Sequence, residues 1–294
     1  MEGKLPFAPT RCGGIEFRWG ERTYVMGVMN VTPDSFSGDG VGDDIEAALA
    51  QARHMASEGV DIIDVGGEST RPGSAPVSVD EEIRRVVPVI ERLASEISVP
   101  ISIDTYKSEV ARRALEAGAK MINDQWGLKR DPNLAELAAE RGVPLVLMSN
   151  QRDKGGYDAS IQRDTADYED VMAEVTSSLK TSMELAVSLG VPQENVIIDP
   201  GIGFGKTWQQ DLEIIQRLGE LRELGRPILV GPSRKSLIGK VLGLPVSDRL
   251  EGTAAAVAIA IANGADMVRV HDVQQMVRVC RMSDALIRRE QDGS

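Results

Sequence analysis

Three apolar runs end in side chains that accept hydrogen bonds: ISID closes on Asp104, MIND carries Asn123, and VIID closes on Asp199. A carboxylate can take two parallel N–H bonds from a planar, guanidine-like edge, the converse of an arginine–carboxylate fork. A second set is basic. Arg71 follows one run, Lys235 follows another, and Arg269 and His271 lie in and just after a third. In a chain of net charge −12 this set supplies the local positive charge that a phosphate-like anion needs. Taken singly, each residue has a plainer explanation, since Asp and Asn cap helices and a lone Arg is usually solvated. Nearly every apolar run ends this way, however, and that favours one shared site. Asp124 is read as a structural neighbour of Asn123. Asp64, in mid-strand before Gly66-Gly67, is also read as structural, and His54 is given no role.

The loops between these residues add little by themselves. Gly201-Ile202-Gly203-Phe204-Gly205-Lys206 lacks the spacing of a P-loop. Phe204, one of four Phe residues, can stack on a ring. Ser233 and Ser236 flank Lys235 and can donate to a carboxylate.

Eight apolar runs would position these side chains: 24–31, 61–66, 99–104, 120–124, 144–148, 195–199, 227–231 and 267–270. They are apolar at successive positions, as strands buried on both faces are. Helical patterns fill the intervals at 45–59, 79–97, 107–117, 132–141, 167–190, 209–224, 249–263 and 273–289, many with Gly where a helix must stop. Eight βα units predict an α/β fold, a single-domain (β/α)8 TIM barrel over 23–290 after an N-terminal segment, 1–22. An open doubly wound sheet usually has fewer strands. Chemistry in such a barrel sits at the C-terminal ends of the strands, where Asn30, Asp104, Asn123, Asp199, Gly231 and Arg269 fall. Residues 1–12 and 290–294 are read as loose ends.

Composition sets limits. The 294 residues suit one barrel, and the acidic balance argues against a nucleic-acid partner. No leader pattern or 18-residue apolar run is present, so a cytoplasmic protein without a membrane partner is expected. The two cysteines, Cys12 and Cys280, are expected as free thiols.

Seven blocks carry a family resemblance: MGVMNVTPDSFS (26–37), IIDVGGESTRPGS (62–74), ISIDT (101–105), MIND (121–124), IIDPGIGFGKT (197–207), ILVGPSRKS (228–236) and RVHDV (269–273). In content and order they resemble the signature blocks of dihydropteroate synthases. The resemblance implies a homodimeric transferase of folate biosynthesis. It would condense 6-hydroxymethyl-7,8-dihydropterin diphosphate with 4-aminobenzoate to give 7,8-dihydropteroate and diphosphate. It further implies that Asp104, Asn123, Asp199 and Lys235 hold the pterin, with Gly231 beside them. Asn30 would bind Mg²⁺, and Asn30, Arg71, Arg269 and His271 would surround the diphosphate. Thr70, Pro72, Phe204 and Ser236 would line the aminobenzoate site. Lys235, Asp104, Asp199, Arg269 and His271 are the expected catalytic set. Two loops depart from the family pattern: LMSNQRD stands where LMHMQG is common, and SFSGDG where SFSDGG is common. Three rival readings are a non-catalytic pterin-binding paralogue, a pterin-dependent methyltransferase and a Schiff-base aldolase using Lys235. The intact rim set argues against the first, STRPG with SRKS against the second, and the otherwise unexplained Asp104, Asn123 and Asp199 against the third.

Overall fold

The computed structural model describes residues 7–31, 41–69, 75–152 and 168–288. Its strands are β1 (Thr10–Cys12), β2 (Ile15–Phe17), β3 (Tyr24–Asn30), β4 (Ile62–Gly66), β5 (Ile101–Asp104), β6 (Met121–Asp124), β7 (Leu145–Met148), β8 (Val196–Asp199), β9 (Leu229–Val230) and β10 (Met267–Val270). Its α-helices are α1 (Val41–Glu58), α2 (Val79–Glu96), α3 (Ser108–Ala117), α4 (Asn133–Arg141), α5 (Val171–Ser188), α6 (Trp208–Gln216), α7 (Ser236–Leu242), α8 (Leu250–Ala262) and α9 (Val273–Ile287). Strands β3 to β10 form one parallel sheet in the order β8-β7-β6-β5-β4-β3-β10-β9. A bridge between Ile198 and Ile228 brings β8 to β9 and closes the barrel. The eight expected strands are therefore present, and helices lie between them.

Side chains alternate along a strand, and that alternation divides the barrel interior into levels. Met26, Ile62, Met121, Val146, Ile197, Leu229 and Met267 make an apolar lower level, packed as one cluster. Two residues further along the same strands come Val28, Asp64, Asn123, Met148, Asp199, Gly231 and Arg269. The interior thus turns from apolar to polar within one step of the pleat. A second, larger cluster lies between the strands and the surrounding helices.

Two expectations are corrected. Residues 10–12 are not a loose end, because they pair antiparallel with 15–17 in a hairpin. Cys12, Phe17 and Trp19 are buried against the lower level and plug the barrel floor. Thr10 Oγ1 accepts from Trp19 Nε1 at 2.9 Å and donates to the Glu194 carbonyl at 2.6 Å. The hairpin is short and only its inward side is apolar, so its periodicity is too brief to read. The second correction is α7, a helix that the sequence pattern does not predict. It is short and follows directly on the strand-end residues after β9.

The first and last strands of the barrel lie side by side. Strand β3 pairs with β10, and Thr23 donates to Asp284 of α9 from both its backbone N–H and its hydroxyl, at 2.8 Å each. Replacing the fully buried Trp19 by Ala is expected to cost about 3–5 kcal/mol of unfolding free energy, measurable by urea denaturation.

Candidate active site

At the C-terminal mouth of the barrel a pocket brings together Asp104, Asn123, Asp199, Phe204, Gly231, Lys235, Arg269 and His271. These eight are expected from sequence. Asn30, at the end of β3, is half-buried, and Ser236 is exposed at the first turn of α7. Neither is part of that pocket's lining. Thr70, Arg71 and Pro72 lie outside the described residues, as does most of the NVTPDSF block.

The pocket floor is a charge network. Arg269 lies on the polar level of β10 and donates from Nε to Asp64 Oδ2 at 2.6 Å and from Nη2 to Asp104 Oδ2 at 2.7 Å. Sequence alone sets Arg269 apart from the acceptors; the structure places it among them. Asp64, structural by its sequence position, is wholly buried and also accepts from Asn123 Nδ2 at 2.9 Å. Strand parity carries the signal that finds it: Asp64 lies two residues beyond inward-facing Ile62, as Asn123 lies beyond Met121 and Arg269 beyond Met267. Asp124 has the opposite parity and is structural as expected, accepting from the backbone N–H groups of Trp126 and Leu128.

Burial governs the ionisation of the site. It raises Asp104, against the pull of Arg269. It raises Asp199 to about 6, opposed by the Gly201 N–H and then by Lys235. Burial, with Arg269 and Arg152 nearby, lowers Lys235 to about 8. His271 falls to about 4 through burial and the adjacent Arg269 and Arg234, so at neutral pH it is uncharged. It therefore contributes a hydrogen bond to the basic set rather than a charge. Ser233 Oγ accepts the His271 backbone N–H at 3.2 Å and lies 3.0 Å from Nδ1. Its own proton can then go to Nδ1, an assignment that leaves Nε2 carrying the ring hydrogen.

Three local devices hold the rim. In the first, Arg234 takes a left-handed φ of 57°, a conformation costly for a residue with a Cβ. It is secured by the ion pair of its side chain with Asp272 at 2.5 Å and by Arg249 donating to the Arg234 and Lys235 carbonyls. The turn seats Ser233 and Lys235 on the pocket. The second device is the glycine-rich loop, which works as a loop-to-loop joint. A Cβ on Gly201 would lie 2.3 Å from the Ser149 carbonyl oxygen, and one on Gly205 2.4 Å from the Gln151 backbone. Buried Lys206, assigned no role from sequence, donates to the carbonyls of Ser149, Gly201 and Phe204 at 2.9–3.2 Å. The third device is Lys107, which contacts Glu68 and Glu82 at 2.5 Å and the Val77 carbonyl at 2.7 Å. It thereby ties together the chain on either side of residues 70–74.

Phe204 carries two cations, with Arg152 Cζ and Lys235 Nζ each 4.3 Å from its ring centroid. Arg152 belongs to the departing LMSNQRD block, so that block brings positive charge to the mouth. Among the described residues no group of three His, Cys, Asp or Glu side chains is arranged to hold a metal ion. Asn30 offers one neutral amide oxygen. A single oxygen of this kind would leave most of the coordination of a hard cation such as Mg²⁺ to water and other oxygen ligands.

The fold is a (β/α)8 barrel with an acceptor-lined pocket and basic groups at its mouth, and the family model described as pterin binding enzyme matches residues 26–271. A dihydropteroate synthase from Clostridium beijerinckii is 49% identical over 280 residues, covering 95% of this chain and 100% of its own. A crystal structure of dihydropteroate synthase from Clostridium difficile in the presence of pteroic acid matches with a TM-score of 0.86 and 47% identity, covering 93% of this chain and 100% of that one. The Xanthomonas albilineans enzyme with 4-aminobenzoic acid gives a TM-score of 0.85 and 41% identity, over 95% of this chain and 97% of its own. The chain belongs to the dihydropteroate synthase family and is a transferase.

Two of the shifted groups, Asp199 and Lys235, bracket a pH window. Asp199 loses its charge as pH falls through about 6, and Lys235 loses its charge as pH rises through about 8. A ligand held by both should show a bell-shaped kcat/KM with limbs near those values. Lys235→Arg is expected to move the alkaline limb upward and leave the acid limb in place.

Proposed function

We propose that this rim joins 6-hydroxymethyl-7,8-dihydropterin diphosphate to 4-aminobenzoate, releasing diphosphate and 7,8-dihydropteroate for folate biosynthesis. The observation that carries the reading is the acceptor-lined floor formed by Asp104, Asn123 and Asp199, with Lys235 and Arg269 beside it. Asp199 accepts the paired N–H groups of the pterin edge, and Asn123 and Asp104 face the rest of the ring. Lys235 and Arg269 supply donors. Gly231 lines the same floor and adds no side chain to it.

The CH₂–O bond to diphosphate ionises because the electron-rich dihydropterin ring delocalises the resulting cation. Buried carboxylates stabilise that charge more strongly than water does. Arg71, Arg269, the His271 ring and Asn30 surround the departing diphosphate, and a Mg²⁺ ion bound with it through Asn30 would offset its charge. Thr70, Pro72, Phe204 and Ser236 line the aminobenzoate side. The arylamine is neutral at pH 7, so it needs positioning more than a general base. No side-chain nucleophile enters. The two thiols are unsuited to that role, since burial pushes both up to about 12.

Among the described residues no helix is long and apolar enough to cross a membrane. The substrates are small and polar, which suits a cytoplasmic enzyme without nucleic-acid or membrane partners. A homodimer is part of the proposal. Ile259 of α8 and Met282 and Leu286 of α9 are each more than half exposed, and α8 packs against α9. A second copy covering these helices would remove that apolar surface from water. Met282→Lys combined with Leu286→Asp should shift the protein from dimer to monomer in sedimentation, at unchanged secondary structure.

A diphosphate-release assay tests the chemistry. Release should require both 4-aminobenzoate and the pterin diphosphate, and should fall roughly 10²-fold or more in Lys235→Ala. Pterin binding without aminobenzoate-dependent release would instead mark a non-catalytic pterin-binding protein.

A further inference from the structure

Asp64 does more than anchor Arg269. Its Oδ2 atom takes both the Arg269 Nε–H and the Asn123 amide, while its Oδ1 has no hydrogen-bond partner among the described residues. The Ser102 hydroxyl, which is in register with Asp64 on β5, and Asp104 Oδ1 are likewise buried without a partner among the described residues. A carboxylate paired with a guanidinium can only accept. The Asn123 atom 2.9 Å from it must therefore be the NH₂ group. The amide oxygen is then the atom that Asn123 can offer to the pocket it lines. An unconstrained amide could turn over and offer either group; this one is locked.

We propose that Asp64 is a positioning residue that fixes Asn123 as an acceptor and so makes the pterin wall select the 7,8-dihydro ring over the oxidised ring. The inference rests on the pterin reading given above. The oxidised ring has hydrogen-bond donors at the 2-amino group and at N3. Its N8 is a bare sp² nitrogen and accepts. In the 7,8-dihydro ring N8 carries a hydrogen, which adds a donor beyond N1 on the same side as the 2-amino group. Asp104, Asn123 and Asp199 form the acceptor wall, and the donors come from other lining residues, Lys235, Arg269, the His271 ring, Ser233 and Gln125. An acceptor wall gains a bond from the reduced ring. Against the oxidised ring it sets acceptor against acceptor, and the locked amide cannot turn over to relieve the clash. The selection concerns binding and needs no redox step.

The test is calorimetric binding, under anaerobic conditions, of 6-hydroxymethyl-7,8-dihydropterin and 6-hydroxymethylpterin. The wild-type protein should bind the reduced ring about tenfold more tightly. Asp64→Ala should bring that ratio close to one and raise KM for the pterin diphosphate, with KM for 4-aminobenzoate held. Asp64→Asn keeps an acceptor oxygen for the Asn123 amide and should keep most of the ratio. A merely structural role would weaken both rings alike. Asn123→Leu should also bring the ratio close to one, and adding Asp64→Ala to it should lower the ratio no further. If Asp64→Ala does not fold, Asn123→Leu carries the decision on the wall. A wild-type ratio near one, or a tenfold ratio surviving in a folded Asp64→Ala or Asn123→Leu protein, overturns the proposal. Failure of the wild type to bind either ring would overturn the pterin reading as well.

Discussion

A guanidinium inside a barrel must be neutralised, and most of the site follows from how that is done. Arg269 is fixed between Asp64 and Asp104, two carboxylates on neighbouring strands. Taking any of these groups out of water alone would cost several kcal/mol, so the three are tolerable only together. Their mutual requirement fixes the guanidinium, and through Asp64 it also fixes the Asn123 amide. One cation thus serves two carboxyl groups on the floor of the pocket. The apolar level beneath, closed by the N-terminal hairpin, keeps water from reaching the network from below. The polarity of the floor and the plugging of the barrel are thus parts of one arrangement.

The rim is held by a different use of charge. Lys206 and Lys107 are both buried or nearly so, and both direct their ammonium groups at protein oxygens. An ammonium offers three donors from one atom and can satisfy carbonyls from several segments at once. This explains how loops that carry few apolar residues hold a fixed position beside the pocket. The lysines of the mouth therefore divide in what they do. Lys235, beside Phe204, faces the pocket, whereas Lys206 and Lys107 join segments of chain.

Much of this is legible in the sequence because parallel barrel strands are apolar on both faces and stop abruptly. A polar residue at the end of such a run has few other reasons to be there, so Asp104, Asn123 and Asp199 can be picked out and grouped correctly. Asp64 escapes a reading that weighs position along the strand but not parity. Its inward direction follows from Ile62 two residues earlier, but only once Ile62 is known to face the interior. Lys206 is hidden for another reason. Its role depends on how the chain after β7 approaches the glycine loop, a contact between segments 57 residues apart that no local pattern encodes. The neutrality of His271 is equally inaccessible, since it arises from burial and from Arg269 and Arg234 acting together. The hairpin and α7 escape because each is too short to establish a period.

The seam between β3 and β10 bears on how the molecule is made. The ribosome releases β3 among the first elements and β10 among the last, and at ordinary elongation rates some tens of seconds, roughly, separate them. Throughout that interval one edge of β3 has no strand to pair with, and Thr23 waits for an aspartate that has not yet been translated. The nascent barrel is therefore an open sheet with an adhesive edge, the form of β structure most prone to pair with a neighbouring chain. Its protection during synthesis falls to whatever chaperones attend the emerging chain. Final closure comes late, when the last strand of the barrel meets the first.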